Sequence, residues 1–174
     1  MGNAPASAVR LRRPDRQVPM SLNEITIDAP PPVVWSVLAE PPTYEEWVVG
    51  NKAIRSYEPN WPAPGTEFHH KVGVGPLSLR DKTISLEADP PRRLVMQVRA
   101  MPVGLGVVTF QLEPEGPGTG VRMTEYLLGG PAKLLWPALD KLTWVRNAET
   151  LRRLRRYTER RYRAVAAAAD GDSR

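Results

Sequence analysis

The C-terminal part of the chain reads as one long helix, and almost everything before it reads as short strands and turns. That division decides the fold. From Gly129-Gly130-Pro131 to about Ala169 no turn signal interrupts a helical repeat. Trp144, Ala148, Leu151, Arg155 and Thr158 recur at i, i+4, i+7, i+11 and i+14, with Leu154 beside them, and so form one stripe. Arg152, Arg153, Arg156, Arg160 and Arg163 fall mainly elsewhere around the cylinder. Leu135, Leu139 and Leu142 lie on a different face, which predicts other packing or a bend near Pro137. Residues 166–174 are expected to fray into a disordered tail.

Upstream, residues 22–29 alternate with Ile25 and Ile27 on one face and predict a strand. Pro30-Pro31-Pro32 sits where the first turn of a helix tolerates proline, and Val34, Val37 and Leu38 follow at helical spacing. Pro41-Pro42 ends that helix, and a second helical turn over Tyr44 to Val48 carries Trp47. Six strand segments follow: Ala53–Glu58, Thr66–Val72, Leu77–Ala88, Leu94–Ala100, Val107–Leu112 and Val121–Leu128. Most of the nineteen prolines stand in pairs or beside glycine between these segments, so they punctuate elements rather than dissolve them. Local turns between neighbouring strands imply an antiparallel meander.

The order is therefore strand, two short helices, six strands, long helix. A sheet with one apolar face must cover it, and the terminal helix is the large element available. These elements predict an α+β helix-grip fold: a curved antiparallel sheet of about seven strands around the C-terminal helix, with the short helices closing one end. Such a wrap leaves a space between sheet and helix, and a space of that kind is where an apolar ligand is buried.

Composition narrows the chemistry. The 174 residues suit one domain, over 21–165, preceded by a basic, proline-bearing stretch without periodicity over 1–20 that reads as a flexible tail. Ordered signals begin just after Met20, which makes Met20 an alternative start. With no cysteine, disulfides, thiolate metal sites and a cysteine nucleophile are excluded. No apolar run approaches the roughly 20 residues that cross a bilayer, and the N-terminal residues lack the apolar core of a secretory signal, so a cytoplasmic location is expected. The net charge of +5 is unevenly placed: residues 141–163 carry +7 and residues 21–140 carry −4. The arginine-rich helix could attract phosphates, but it lacks the aromatic interleaving of single-strand binders, and a solvated outer face is the expected reading. Nucleic acid is thus not an expected partner. The Gly104–Gly106 stretch fits neither dinucleotide nor phosphate-loop patterns, and no cofactor is implied.

Five separated pieces resemble the START-related SRPBCC superfamily, and within it the polyketide cyclase/dehydrase-like proteins. They are Ile25-Thr-Ile-Asp-Ala-Pro with Val34-Trp35 and Leu38, Tyr44-Glu-Glu-Trp47, Asp89-Pro-Pro-Arg-Arg-Leu94, Gly118-Thr-Gly-Val121-Arg-Met123-Thr-Glu125, and Arg146-Asn147 with Leu151-Arg-Arg-Leu154. The resemblance runs from about Leu22 to about Glu159 and implies the helix-grip fold. It implies no catalytic residue, because the superfamily holds cyclases, lipid and steroid carriers and receptors without one shared motif.

Strand parity supplies the candidate site. Val121, Met123 and Leu127 share a face, and Glu125 falls on it. A carboxylate turned into an apolar cavity can orient a ligand hydroxyl or accept a proton; alternatively a bulge reverses the parity, or Glu125 pairs with an arginine at the pocket mouth. His70 shares parity with Phe68 and Val72 and points inward, whereas His69 faces solvent. Adjacent histidines on opposite faces cannot jointly hold a metal, and no metal site is expected. Trp35, Trp47, Phe68, Met96, Met123 and Trp144 are the further candidate lining residues, with plain core packing as the alternative for each. Arg146 can reach the pocket end or stay on the surface, and the surface is the expected reading. The leading expectation is binding of a hydrophobic or aromatic small molecule, lipid- or polyketide-like. The alternatives are a cyclase- or dehydratase-type enzyme using Glu125 and His70 to handle protons, and partner or nucleic-acid binding through the arginine helix.

Overall fold

The first strand lies beside the last, and this closes the topology around the terminal helix. The computed structural model describes residues 21–73, 75–100, 104–129 and 136–172. The expected tail over 1–20, the alternative start at Met20 and Leu135 lie outside the described residues. Seven strands form one antiparallel sheet in the order β1-β7-β6-β5-β4-β3-β2. They are β1 (Ser21–Ile27), β2 (Asn51–Tyr57), β3 (Glu67–Val72), β4 (Leu79–Asp89), β5 (Arg93–Ala100), β6 (Gly104–Glu115) and β7 (Gly118–Gly129). Between β1 and β2 come α1 (Pro31–Leu38), a 3₁₀ turn (Pro41–Thr43) and α2 (Tyr44–Trp47). The 37-residue α3 (Trp136–Asp172) completes the helix-grip architecture, packing chiefly on β1, α2 and α1.

Strand parity holds where the site is built. Along β7, Val121, Met123, Glu125 and Leu127 are buried while Arg122 and Leu128 are exposed. Along β3, Phe68 and His70 are buried and Lys71 is exposed. The β6–β7 hairpin is longer than the polar segment Glu113 to Gly120 suggests. Pairing continues to Glu115 opposite Gly118, around a turn in which Gly116 takes φ +57°. Pro114 sits inside β6 because β5 has already ended: the final β5–β6 pair is Arg93 with Gln111, so proline's missing N–H faces an unpaired edge.

The core is an aromatic cluster roofed by α1 and α3. Tyr44 packs tilted against Trp47 at 4.4 Å and edge-on against Phe68 at 5.0 Å between ring centroids, and Trp61 meets Phe68 edge-on at 4.7 Å. Trp61 belongs to a turn, yet its ring is buried and its indole N–H donates to the Leu38 carbonyl at 3.3 Å. Burial raises the Tyr44 hydroxyl's pKa, and that group donates to the Leu38 carbonyl at 2.7 Å.

Two expectations about α3 are corrected. The helix continues to Asp172, so residues 166–172 are helical rather than a disordered tail. Pro137 occupies the first turn of α3, a position that needs no N–H, and it therefore starts the helix instead of bending it.

Candidate functional site

Between the concave face of the sheet, α2 and the first half of α3 lies a cavity of about 340 Å³. Phe68, Met96, Val98, Val108, Phe110 and Met123 form its apolar wall. Two separate polar groups interrupt that wall. The first comes from β2, β3 and β4, the second from β7 and α3.

His70 organises the first group. Its Nδ1 lies 3.4 Å from Asn51 Oδ1 and its Nε2 lies 3.2 Å from Thr83 Oγ1. The Asn51 oxygen can only accept, so Nδ1 carries the proton and Nε2 accepts from the Thr83 hydroxyl. Burial, helped by neighbouring His69, pushes the His70 pKa down to about 4, so the ring is neutral near pH 7. Asn51 Nδ2 is buried without a hydrogen-bond partner among the described residues.

Glu125 anchors the second group and is only 5 % exposed. Its Oε2 accepts from Asn147 Nδ2 at 2.8 Å and from an Nη of Arg146. Arg146 also reaches Asn147 Oδ1, through Nε at 3.1 Å and Nη at 3.0 Å. A buried carboxylate without a cation is costly, and this ring of contacts supplies the cation and the hydrogen bonds together. Of the readings open for Glu125 in the sequence, inward parity and pairing with an arginine both hold. Arg146 is corrected from a surface residue to a half-buried partner, because α3 enters the cavity with Arg146 and Asn147 facing β7.

The cavity opens where its lining meets solvent, at exposed Leu79 and Arg99 and half-buried Gly50, Gly73 and Arg146. Main chain forms one side of that opening. Gly73 N–H donates to the Gly50 carbonyl at 2.9 Å, and Gly50 takes φ +90°, a conformation that favours glycine. A Cβ on Gly73 would lie 2.0 Å from the Leu77 carbonyl oxygen. Lys52 ties the same turn down, donating to the carbonyls of Gly75 and Leu77.

Trp47, Phe68, His70, Met96, Met123 and Glu125 all line the cavity. Trp35 and Trp144 do not. Trp35 is half-buried against the core outside the cavity, one position beyond the inward Val34 on α1. Trp144 is 51 % exposed because the buried stripe of α3 is Thr143, Asn147, Thr150, Leu151, Leu154 and Thr158, rotated from the stripe that hydrophobicity selects. The polar first half of that stripe also explains why Asn147 and Thr150 escape a search for apolar residues. Thr150 Oγ1 accepts from Val49 N–H at 3.2 Å, joining α3 to the segment before β2.

The comparisons agree with this architecture. Similar solved structures include TTHA0849 from Thermus thermophilus, at 20 % identity and TM-score 0.62, covering 79 % of this chain and 95 % of that one. The Aha1 protein of Colwellia psychrerythraea, solved as a dimer, aligns at 18 % identity and TM-score 0.56, covering 80 % and 95 %. The di-domain ARO/CYC protein StfQ of the steffimycin biosynthetic pathway aligns at 14 % identity and TM-score 0.62, over 81 % of this chain and 50 % of that one. At these identities the likeness shows the fold alone. No curated protein sequence matches significantly. The family model described as polyketide cyclase / dehydrase and lipid transport matches residues 22–164, and the chain belongs to that family.

Proposed function

We propose that this protein binds a neutral, largely apolar small molecule, aromatic or lipid-like, in the cavity between the sheet and α3. The observation that carries the reading is the lining itself: a continuous wall from Phe68 to Met123, interrupted by two polar groups that are already hydrogen-bonded within themselves. Pockets of that composition bury a ligand's apolar body and use a few fixed polar atoms to orient it. Membership of a family that includes lipid transport supports the same reading. His70 has both ring nitrogens engaged, which favours a positioning role over proton transfer.

Titration with a panel of polycyclic aromatics and long-chain alcohols, followed by native mass spectrometry, tests the proposal. At least one member should bind with 1:1 stoichiometry. Val98→Trp, which places bulk against the cavity, should weaken that binding at least about tenfold while circular dichroism stays unchanged. A panel without a binder, or undiminished binding by the variant, would refute it.

A further inference from the structure

Glu125 holds one oxygen in reserve. Its Oε2 is engaged by Arg146 and Asn147, whereas Oε1 makes no hydrogen bond among the described residues. Among those residues the fully sealed side-chain atoms without a partner are Asn51 Nδ2 and Thr158 Oγ1. Oε1 is not one of them, so it reaches open space, and the open space lined by Glu125 is the cavity. The neighbouring strand leaves room for this: a Cβ added at Gly106 would stand 3.9 Å from Oε1, and glycine has none. Within the cluster Asn147 Oδ1 is already accepting from Arg146 and Glu125 Oε2 is already accepting from Arg146 and Asn147, so Oε1 is the acceptor left unengaged there.

From this arrangement we infer that the cavity selects ligands carrying a hydroxyl donor, a phenol or an alcohol, whose O–H donates to Glu125 Oε1. The inference rests on the binding reading above and names the ligand class for it. A carboxylate oxygen only accepts hydrogen bonds, so an ether or ketone oxygen placed there meets an acceptor instead of a donor. An anionic ligand head is repelled at that end, since Arg146, the cation in contact with Glu125, is already paired with it. Arg99 can attract an anion, but it lies exposed at the opening, whereas Glu125 is buried. A hydrogen bond to a charged, buried acceptor is among the stronger kinds, and charged partners raise discrimination above that of neutral pairs.

The test compares three naphthalenes of one shape by equilibrium dialysis: 2-naphthol, 2-methoxynaphthalene and 2-naphthoate. The wild-type protein should bind naphthol at least about tenfold tighter than the ether, although the ether is the more apolar, and naphthoate no tighter than the ether. Glu125→Met should bring the naphthol-to-ether ratio close to one, and Glu125→Gln, which keeps an acceptor without the charge, should leave a ratio of a few fold. A wild-type ratio near one, tighter binding of naphthoate than naphthol, or a preference that persists in Glu125→Met overturns the hydroxyl inference and leaves the cavity reading standing. If none of the three binds while a member of the wider panel does, the hydroxyl inference fails and the cavity reading stands; with no binder in either set, both fail. The wild-type comparison needs no variant to fold.

Discussion

His70 and Glu125 show two ways of burying an ionisable side chain. Glu125 keeps a cation beside it, so its position between sheet and helix depends on Arg146. His70 instead sits between two neutral partners, Asn51 and Thr83, and stays neutral itself, which leaves a signature in stability. Its pKa is pushed down to about 4 from an ordinary 6.5. Below pH 6.5 the unfolded chain therefore takes up a proton that the folded chain refuses. Stability is full above pH 6.5 and is lost as pH falls toward 4, by about 3 kcal/mol in all. His70→Gln removes the titrating group, so its stability measured by denaturant unfolding should be nearly flat from pH 6.5 to 4.5, where the wild type declines. Parallel slopes in the two proteins would show that His70 protonates as readily folded as unfolded. Below that window the depressed carboxyl groups of Glu67 and Glu149, each held down by a cation that bonds it, add their own loss in both proteins.

At the scale of the element, α3 carries the difference between what the sequence displays and what the fold uses. Its buried stripe is polar in its first half, with Thr143 and the cavity-lining Asn147 and Thr150, and apolar where it meets the core, with Leu151 and Leu154. Leu154→Ala should cost about 3 kcal/mol, as expected for a fully buried leucine, whereas Trp144→Ala should cost less than about 1 kcal/mol despite removing the larger side chain. Thermal or denaturant unfolding of the two variants decides which stripe faces inward. The strands were more legible than the helix. Their period is two, so a single apolar run in β7 places Glu125 inward without knowledge of the partner strand. A helix face is about 100° or more wide, and one tryptophan at its border is enough to turn the inferred stripe by a residue. Trp61 was hidden for another reason: it stands in a turn, where sequence offers no period, and tertiary contact alone makes it part of the core.

For the whole molecule, the two ends of the described chain are fastened to each other. Glu159 of α3 accepts from the Asp28 N–H at 3.1 Å and from Arg155 at 2.8 Å, and it approaches Arg163 at 3.4 Å. Arg161 reaches Glu40 beyond α1, and Arg152 and Arg153 both approach Glu149. Folding thus sets carboxylates among the cations that make this segment so basic in the sequence. Beyond Arg163 the helix side chains described are exposed through Ala169. A chain ending after Ala164 should keep its stability within about 0.5 kcal/mol, whereas one ending after Thr158 should lose about 2 kcal/mol with the Glu159 contacts. Chemical denaturation of both truncations checks where the helix stops contributing.

The turn at Gly73 bears on how access to the cavity can change. A doorway framed by side chains can be widened or narrowed by single substitutions. Here Gly50 and Gly73 meet through main-chain atoms, and any side chain on Gly73 would collide with the carbonyl of Leu77. The frame on that side is therefore fixed by the polypeptide itself. Substitutions that reshape the cavity therefore act through its walls and its two polar groups and not through that turn.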